Sequence, residues 1–332
     1  MTATGRAAVR VTVAMLLVGA AFGGAWLWLH LPRRITVSAG AFPEQLVYAR
    51  ASDDVINAGA LFSAQNGASD AAAVIWVHGW GANFHYPTYT SIGRRLAARG
   101  TTTISVNTRM HDLGTSATYR QGRRVRGGGY WGVPSEQDLD IAAWVDFAEQ
   151  LGYPRVVLAG HSAGWAAVAA YRVRSQDPRV VGVVLASGAV RRLQPPDDED
   201  QLDKARRLVE AGRGDELMPL PNRSFPSYIS AATMLDQAQT PVELLDFFGE
   251  GGGTAGIARL GCPVLAFFGT RGDVGGPPEL ELVRSASGRL SLGPLRIDTS
   301  MIEGADHMYT GEEDQVARTI ADWIARAVPP AH

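Results

Sequence analysis

Short apolar runs recur along this chain, separated by segments whose apolar positions follow a helical spacing. Ala73–Val77, Thr102–Asn107, Val156–Ala159, Val180–Ala186 and Pro263–Gly269 have the length and composition of strands. Between two of them, residues 136–151 place Leu139, Ala142, Ala143, Val145 and Phe147 at helical spacing with acids opposite, and residues 85–98 form a further predicted helix. Unbroken apolar strands are those buried on both faces, so their alternation with helices predicts a mostly parallel, doubly wound α/β sheet. At the start, Leu46–Arg50 and Ala58–Ser63, joined through Ser52-Asp53-Asp54, predict an antiparallel hairpin. Near the end, Leu295–Asp298 predicts a short strand, and a terminal helix follows.

Two regions break this rhythm. Residues 191–256 open with a polar, proline-bearing stretch, continue with helical patterns at 201–211 and 226–247, and return through Gly251-Gly252-Gly253. At the other extreme, Val11–Leu31 carries no Asp, Glu, Lys or Arg and is flanked by Arg6 and Arg10, then by Arg33 and Arg34. A helix of that length spans about 30 Å, the hydrocarbon thickness of a bilayer, and Trp26 and Trp28 fall near one end, where indoles favour the interface. Residues 1–40 are therefore expected to be a membrane anchor with its linker, making the protein membrane-associated. The alternative is a secretory signal cleaved near Val37-Ser38-Ala39. Equal arginine counts on the two flanks leave the orientation open.

The remaining residues, 41–332, are enough for one catalytic domain, and a hydrophobic content of 46% supplies a large core. A net charge of −2 gives no reason to expect a nucleic-acid partner. Cys262 is the only cysteine, which excludes an intrachain disulfide. No metal, nucleotide or dinucleotide motif stands in the right context, so no cofactor is expected.

The chemistry is concentrated where the strand at 156–159 runs into Gly160-His161-Ser162-Ala163-Gly164 and then an alanine-rich stretch. Strand, Gly-x-Ser-x-Gly and helix together describe a nucleophile elbow, a turn so tight that the serine is strained and its hydroxyl projects. Upstream, the strand at 73–77 leads into His78-Gly79-Trp80. In hydrolases with this elbow that loop and the residue after the serine each lend a backbone N–H to an oxyanion hole, which makes Trp80 and Ala163 the candidate donors. His78 is expected to brace the loop.

Downstream come an acid and a base. His307, after the last strand and before the terminal helix, is the candidate to take the Ser162 proton, and Asp273, in the loop after the strand at 263–269, the candidate to orient it. Asp306 is a weaker choice because it neighbours His307 in sequence. A second loop carries Arg109, His111 and Asp112, then Arg120, Arg123, Arg124 and Arg126. These arginines are either solvated or a site for an anionic substrate group or lipid headgroups.

On these residues the chain resembles the α/β-hydrolase superfamily from about 45 to 328, and within it single-domain bacterial esterase-like hydrolases. The resemblance implies a helical lid over about 191–256, with Phe225, Tyr228, Met234, Leu235, Phe247 and Phe248 either lining a pocket or packing the lid down. It also implies a serine hydrolase that cleaves a small-molecule carboxylic ester through an acyl-enzyme. Aminopeptidase, thioesterase, acyltransferase and non-catalytic binding protein are the alternatives on the same fold. For the peptidase, the run Asp197–Asp200 would grip a substrate amine; otherwise it is a solvated turn. One departure stands out: Asp273 lies four residues after Gly269, whereas many relatives place the acid three residues on, at a position held here by Gly272.

Overall fold

The computed structural model describes residues 44–64, 72–118, 124–188, 196–220, 226–251, 255–289 and 296–328. The apolar segment 11–31, Arg120, Arg123 and Phe225 lie outside the described residues. Strands β1 (Glu44–Arg50) and β2 (Ile56–Phe62) form the expected hairpin, with Ala51 and Val55 closing the turn and Asp54 in the left-handed region at φ 72°. Six more strands complete the main sheet: β3 (Ala73–Val77), β4 (Thr103–Val106), β7 (Val156–His161), β8 (Val180–Ala186), β11 (Val264–Gly269) and β12 (Ile297–Ile302). Their order is β1-β2-β4-β3-β7-β8-β11-β12, antiparallel up to β4 and parallel from there on.

Side chains alternate across this sheet with period two, and each face has its own cover. Ile75, Val77, Leu158, Val264 and Ala266 point into one core beneath helices α2 (Gln137–Gln150), α3 (Gly164–Ser175) and α7 (Pro277–Arg289). Val74, Trp76, Val157, Leu265 and Phe267 point into the other, beneath α1 (Pro87–Ala98) and α8 (Glu313–Ala327). Coverage on both sides is why β3, β4, β7 and β11 are buried along their whole length and read as continuous apolar runs.

After β8 the chain leaves the sheet. Asp198 caps α4 (Glu199–Glu210) by accepting the Gln201 N–H at 3.2 Å, so the exposed acids at 197–200 open a helix. A two-stranded ribbon, β9 (Leu217–Pro219) with β10 (Tyr228–Ser230), then leads to α5 (Ala231–Ala238) and α6 (Val242–Leu245). All but α6 pack on a small core of their own around Leu202, Met218, Ile229 and Met234, whereas Leu244 of α6 joins the main core. The single helix expected over 226–247 is thus three elements. Ser230 takes the Thr233 N–H at 3.1 Å as a cap, and Pro241, which has no N–H, stops the helix that follows. A second ribbon, β5 (Thr115–Thr118) with β6 (Arg124–Gly127), was not expected from the sequence pattern.

Candidate active site

Ser162 sits between β7 and α3 at φ 51°, a left-handed conformation that costs a non-glycine residue about 1–3 kcal/mol. Its neighbours leave no alternative path. A Cβ on Gly160 would lie 2.3 Å from the Gly164 carbonyl oxygen, and one on Gly164 would lie 2.5 Å from that of His78. The backbone of the His78-Gly79 loop is thereby pressed against the elbow, with Gly79 directly over the Ser162 Cβ.

His307 bridges the other two groups. Its Nε2 lies 3.1 Å from Ser162 Oγ and its Nδ1 lies 2.7 Å from Asp273 Oδ1. The Asp273 side chain is fully buried but well supplied with donors: the Val274 N–H on Oδ1, and the Gly269 N–H and Ser187 hydroxyl on Oδ2. Burial would raise its pKa, yet the hydrogen bonds from His307, Ser187 and the two backbone groups outweigh it and hold the carboxyl below its usual value. The Gly269 bond also accounts for the four-residue spacing, since the loop folds back so that Asp273 reaches the end of β11. Asp306 has a different occupation. It accepts the Met308 and Thr310 N–H groups at 3.0 and 2.9 Å, shaping the turn that presents His307.

Four buried residues that the sequence pattern did not single out complete the surroundings. Tyr309 hydrogen-bonds Ser187, which in turn donates to Asp273. On the other side of the base, His161 Nε2 lies 2.8 Å from the His307 carbonyl, which can only accept, so the proton is on Nε2 and Nδ1 accepts from Tyr89 at 2.7 Å. Tyr89 itself accepts the Gly79 N–H. A directed chain therefore runs from the loop after β3, through Tyr89 and His161, to the backbone of His307. Burial first, and then the charge His307 can carry, push the His161 pKa down to about 4, so the ring is neutral.

His78 is buried as well. Its Nε2 accepts the Thr108 N–H and its Nδ1 lies 2.8 Å from the Gly79 carbonyl, with burial pushing its pKa down to about 4. It braces its loop. Trp80 follows on the turn, its indole N–H donating to the Gly129 carbonyl at 3.1 Å and its ring edge-on to Tyr130. Ala163 is exposed at the start of α3, where backbone N–H groups lack intrahelical partners. Trp80 and Ala163 together line a cleft of about 620 Å³.

Arg109 is neither of the two things expected of the loop arginines, solvated or open to an anionic group. This side chain is buried and held by Asp140, Asp53 and Glu136, so it closes an internal ion network that Asn57 also joins. Arg126 is exposed and stacks over Trp131 at 5.3 Å. Of the inserted aromatic and aliphatic residues, Phe247 lines the cleft, Met234 and Leu235 pack the insertion, and Phe248 stacks on Trp165 in the main core.

The profile of the alpha/beta hydrolase family matches residues 74–319, which takes in the elbow, the acid loop and the histidine turn. The chain belongs to this family. Among solved structures, this alpha/beta hydrolase is similar to Est1E from Butyrivibrio proteoclasticus, at 15% identity and a TM-score of 0.55, with 85% of this chain and 98% of that one covered. It is similar also to the esterase domain of a Rhodothermus marinus protein, at 16% identity and a TM-score of 0.54 over 86% of this chain and 100% of that one. DcsB, solved with its substrate analogue, gives 17% identity and a TM-score of 0.60 over 86% and 99%. No curated protein matches the sequence. At these identities the likeness is one of fold, and the fold agrees with the sheet and flanking helices expected from the sequence.

Proposed function

We propose that this alpha/beta hydrolase is a serine hydrolase that cleaves carboxylic esters. The observation that carries the reading is His307, placed by hydrogen bonds between Ser162 Oγ and Asp273. In the first half-reaction Ser162 Oγ attacks the ester carbonyl carbon as its proton passes to His307 Nε2, and the C=O electron pair moves onto oxygen. The N–H groups of Trp80 and Ala163 stabilise that oxyanion, an effect worth about 10²- to 10³-fold per donor. The tetrahedral centre then collapses, the C–O bond to the alcohol breaks, and His307 returns the proton to the departing oxygen. Water repeats the sequence on the acyl-enzyme, releasing the acid and restoring Ser162. Throughout, anionic Asp273 keeps the Nδ1 proton in place and stabilises the imidazolium.

Esterases among the fold neighbours support the ester over the amide, and so does the placement of the Asp197–Asp200 run, exposed at the start of α4. Turnover of p-nitrophenyl acetate and butyrate, with none of aminoacyl p-nitroanilides, is the expected result; the reverse pattern contradicts the assignment. We further propose that residues 11–31 anchor the enzyme to a membrane, on the strength of their length and lack of charge. Among the described residues no helix is long and apolar enough to cross one.

A further inference from the structure

The cleft lined by Trp80 and Ala163 runs along helix α3 as far as Arg174. Ala163, Ala166, Ala170 and Arg174 recur at intervals of three and four, so they lie along one side of the helix. Alanines there keep the floor low. Leu244, Leu245 and Phe247 of the inserted segment add apolar wall. At 1.5 Å per residue, the distance from Ala163 to Arg174 is about 16 Å, which corresponds to about a dozen bonds of an extended chain.

The far end changes character. Arg174 is paired there with Asp138, its Nη2 donating to Oδ1 at 2.9 Å, and Asp236 accepts the Ser135 N–H at 3.0 Å and the Ser135 hydroxyl. Gln239 and Thr240, next to Asp236 in sequence, also line the cleft. We infer, on the serine-hydrolase reading of the site, that the substrate is an ester with one long arm. That arm, acyl or alcohol, is apolar near the carbonyl, about a dozen bonds long, and ends in an uncharged hydrogen-bonding group such as a hydroxyl or amide.

Each part of this follows from the lining. A purely apolar end would strip water from Gln239 and Thr240 without replacing its hydrogen bonds. A terminal carboxylate would meet two carboxylates and a single guanidinium already engaged by one of them. A terminal ammonium would face Arg174, while Asp138 and Asp236 already hold their own donors. An uncharged donor-acceptor group avoids all three costs.

The test compares two ester series on the full-length enzyme: p-nitrophenyl esters with the acyl arm varied, and acetates with the alcohol arm varied. Each series runs from a short arm to a twelve-bond arm ending in methyl, hydroxyl, carboxylate or ammonium. In one series kcat/KM should rise about tenfold or more from the short arm to the hydroxyl-ended arm, with the methyl and both charged ends below it. Ala170→Trp should lower the long-to-short ratio about tenfold or more, and Ala166→Leu should lower it by less. Rates are normalised to the fraction of Ser162 that takes a small fluorophosphonate, so unfolded variant is not counted. Indifference to arm length in both series, preference for a charged end, or an unchanged ratio in Ala170→Trp would overturn the inference while leaving ester hydrolysis standing. If no ester turns over and no fluorophosphonate is taken up, the serine-hydrolase reading fails and the inference with it.

Discussion

His161 donates its Nε2 proton to the backbone carbonyl of His307 across 2.8 Å, tying the residue before the proposed nucleophile to the proposed base. The contact fixes the turn that carries the base. It also orients the Tyr89 hydroxyl, and through it the loop that bears Trp80. Both halves of the proposed site thus share one buried imidazole.

Replacing that imidazole should loosen the base without removing any reacting atom. His161→Ala is expected to lower kcat about tenfold with little change in KM, and to cost about 1–3 kcal/mol of stability for each polar group left unpaired. His161→Gln, whose amide can donate to the same carbonyl, should recover part of kcat. Steady-state kinetics and denaturant melts on both variants check this, and an unchanged kcat in His161→Ala contradicts the positioning role.

Acid should destabilise the protein in a definite window. His78 and His161 have folded pKa values of about 4 against 6.5 when unfolded, so between those values the unfolded chain binds more protons than the native one. Their contribution is complete above about pH 6.5 and is lost as pH falls towards 4, each pKa unit being worth about 1.4 kcal/mol per residue. Asp273, lowered below its ordinary value, adds to the loss at still lower pH. Melting curves taken from pH 7.5 to 4.5 should show Tm falling steadily below about 6.5; a flat profile would mean the two rings are not buried as neutral species.

The proposed acid is separable from its rival. Asp273→Asn should cut kcat by about 10⁴-fold, because an amide cannot hold the correct tautomer of His307. Asp306→Asn touches the turn at Met308 and Thr310 and an exposed pairing with Arg271, and should cost far less. Kinetics on the pair decide the matter, and a larger loss in Asp306→Asn reverses the assignment.

Arg109→Ala should damage folding and not specificity. It leaves Asp140, fully buried, without its cation, and breaking a buried pair on one side costs about 3–5 kcal/mol. Urea unfolding gives the magnitude. A stable variant with altered preference for anionic esters would return Arg109 to a substrate role.

Deleting residues 1–34 should release the enzyme from membranes with its ester turnover retained, since none of the proposed catalytic groups lies there. Fractionation of full-length and truncated protein checks the anchor, and equal distribution of both contradicts it.

What the sequence made legible follows burial. Ala73–Val77 and Val264–Gly269 stand out because sheet strands covered on both faces must be apolar at every position. The elbow is visible because Gly160 and Gly164 have no room for a side chain. Ser187, Tyr309 and Tyr89 left no such mark. Ser187 meets Asp273, Tyr309 meets Ser187 and Tyr89 meets His161 across 72 to 122 residues of chain, and no local pattern encodes such a contact. Strands β5 and β6 were missed for a different reason. Thr-Ser-Ala-Thr against Arg-Val-Arg-Gly has almost no apolar alternation, because this ribbon stands outside the main sheet. Arg109 looked like part of an exposed basic loop, and only the positions of Asp53, Glu136 and Asp140 show why it turns inward.

The central claim is that Ser162 is a covalent nucleophile activated by His307, and intact-mass analysis after treatment with a fluorophosphonate tests it most directly. Wild type should gain one phosphonyl group, mapped by peptide sequencing to Ser162. The Ser162→Ala protein should gain none, and His307→Ala should react at least about 10²-fold more slowly. A wild-type enzyme that stays unmodified, or a Ser162→Ala protein modified to the same extent, would contradict the account.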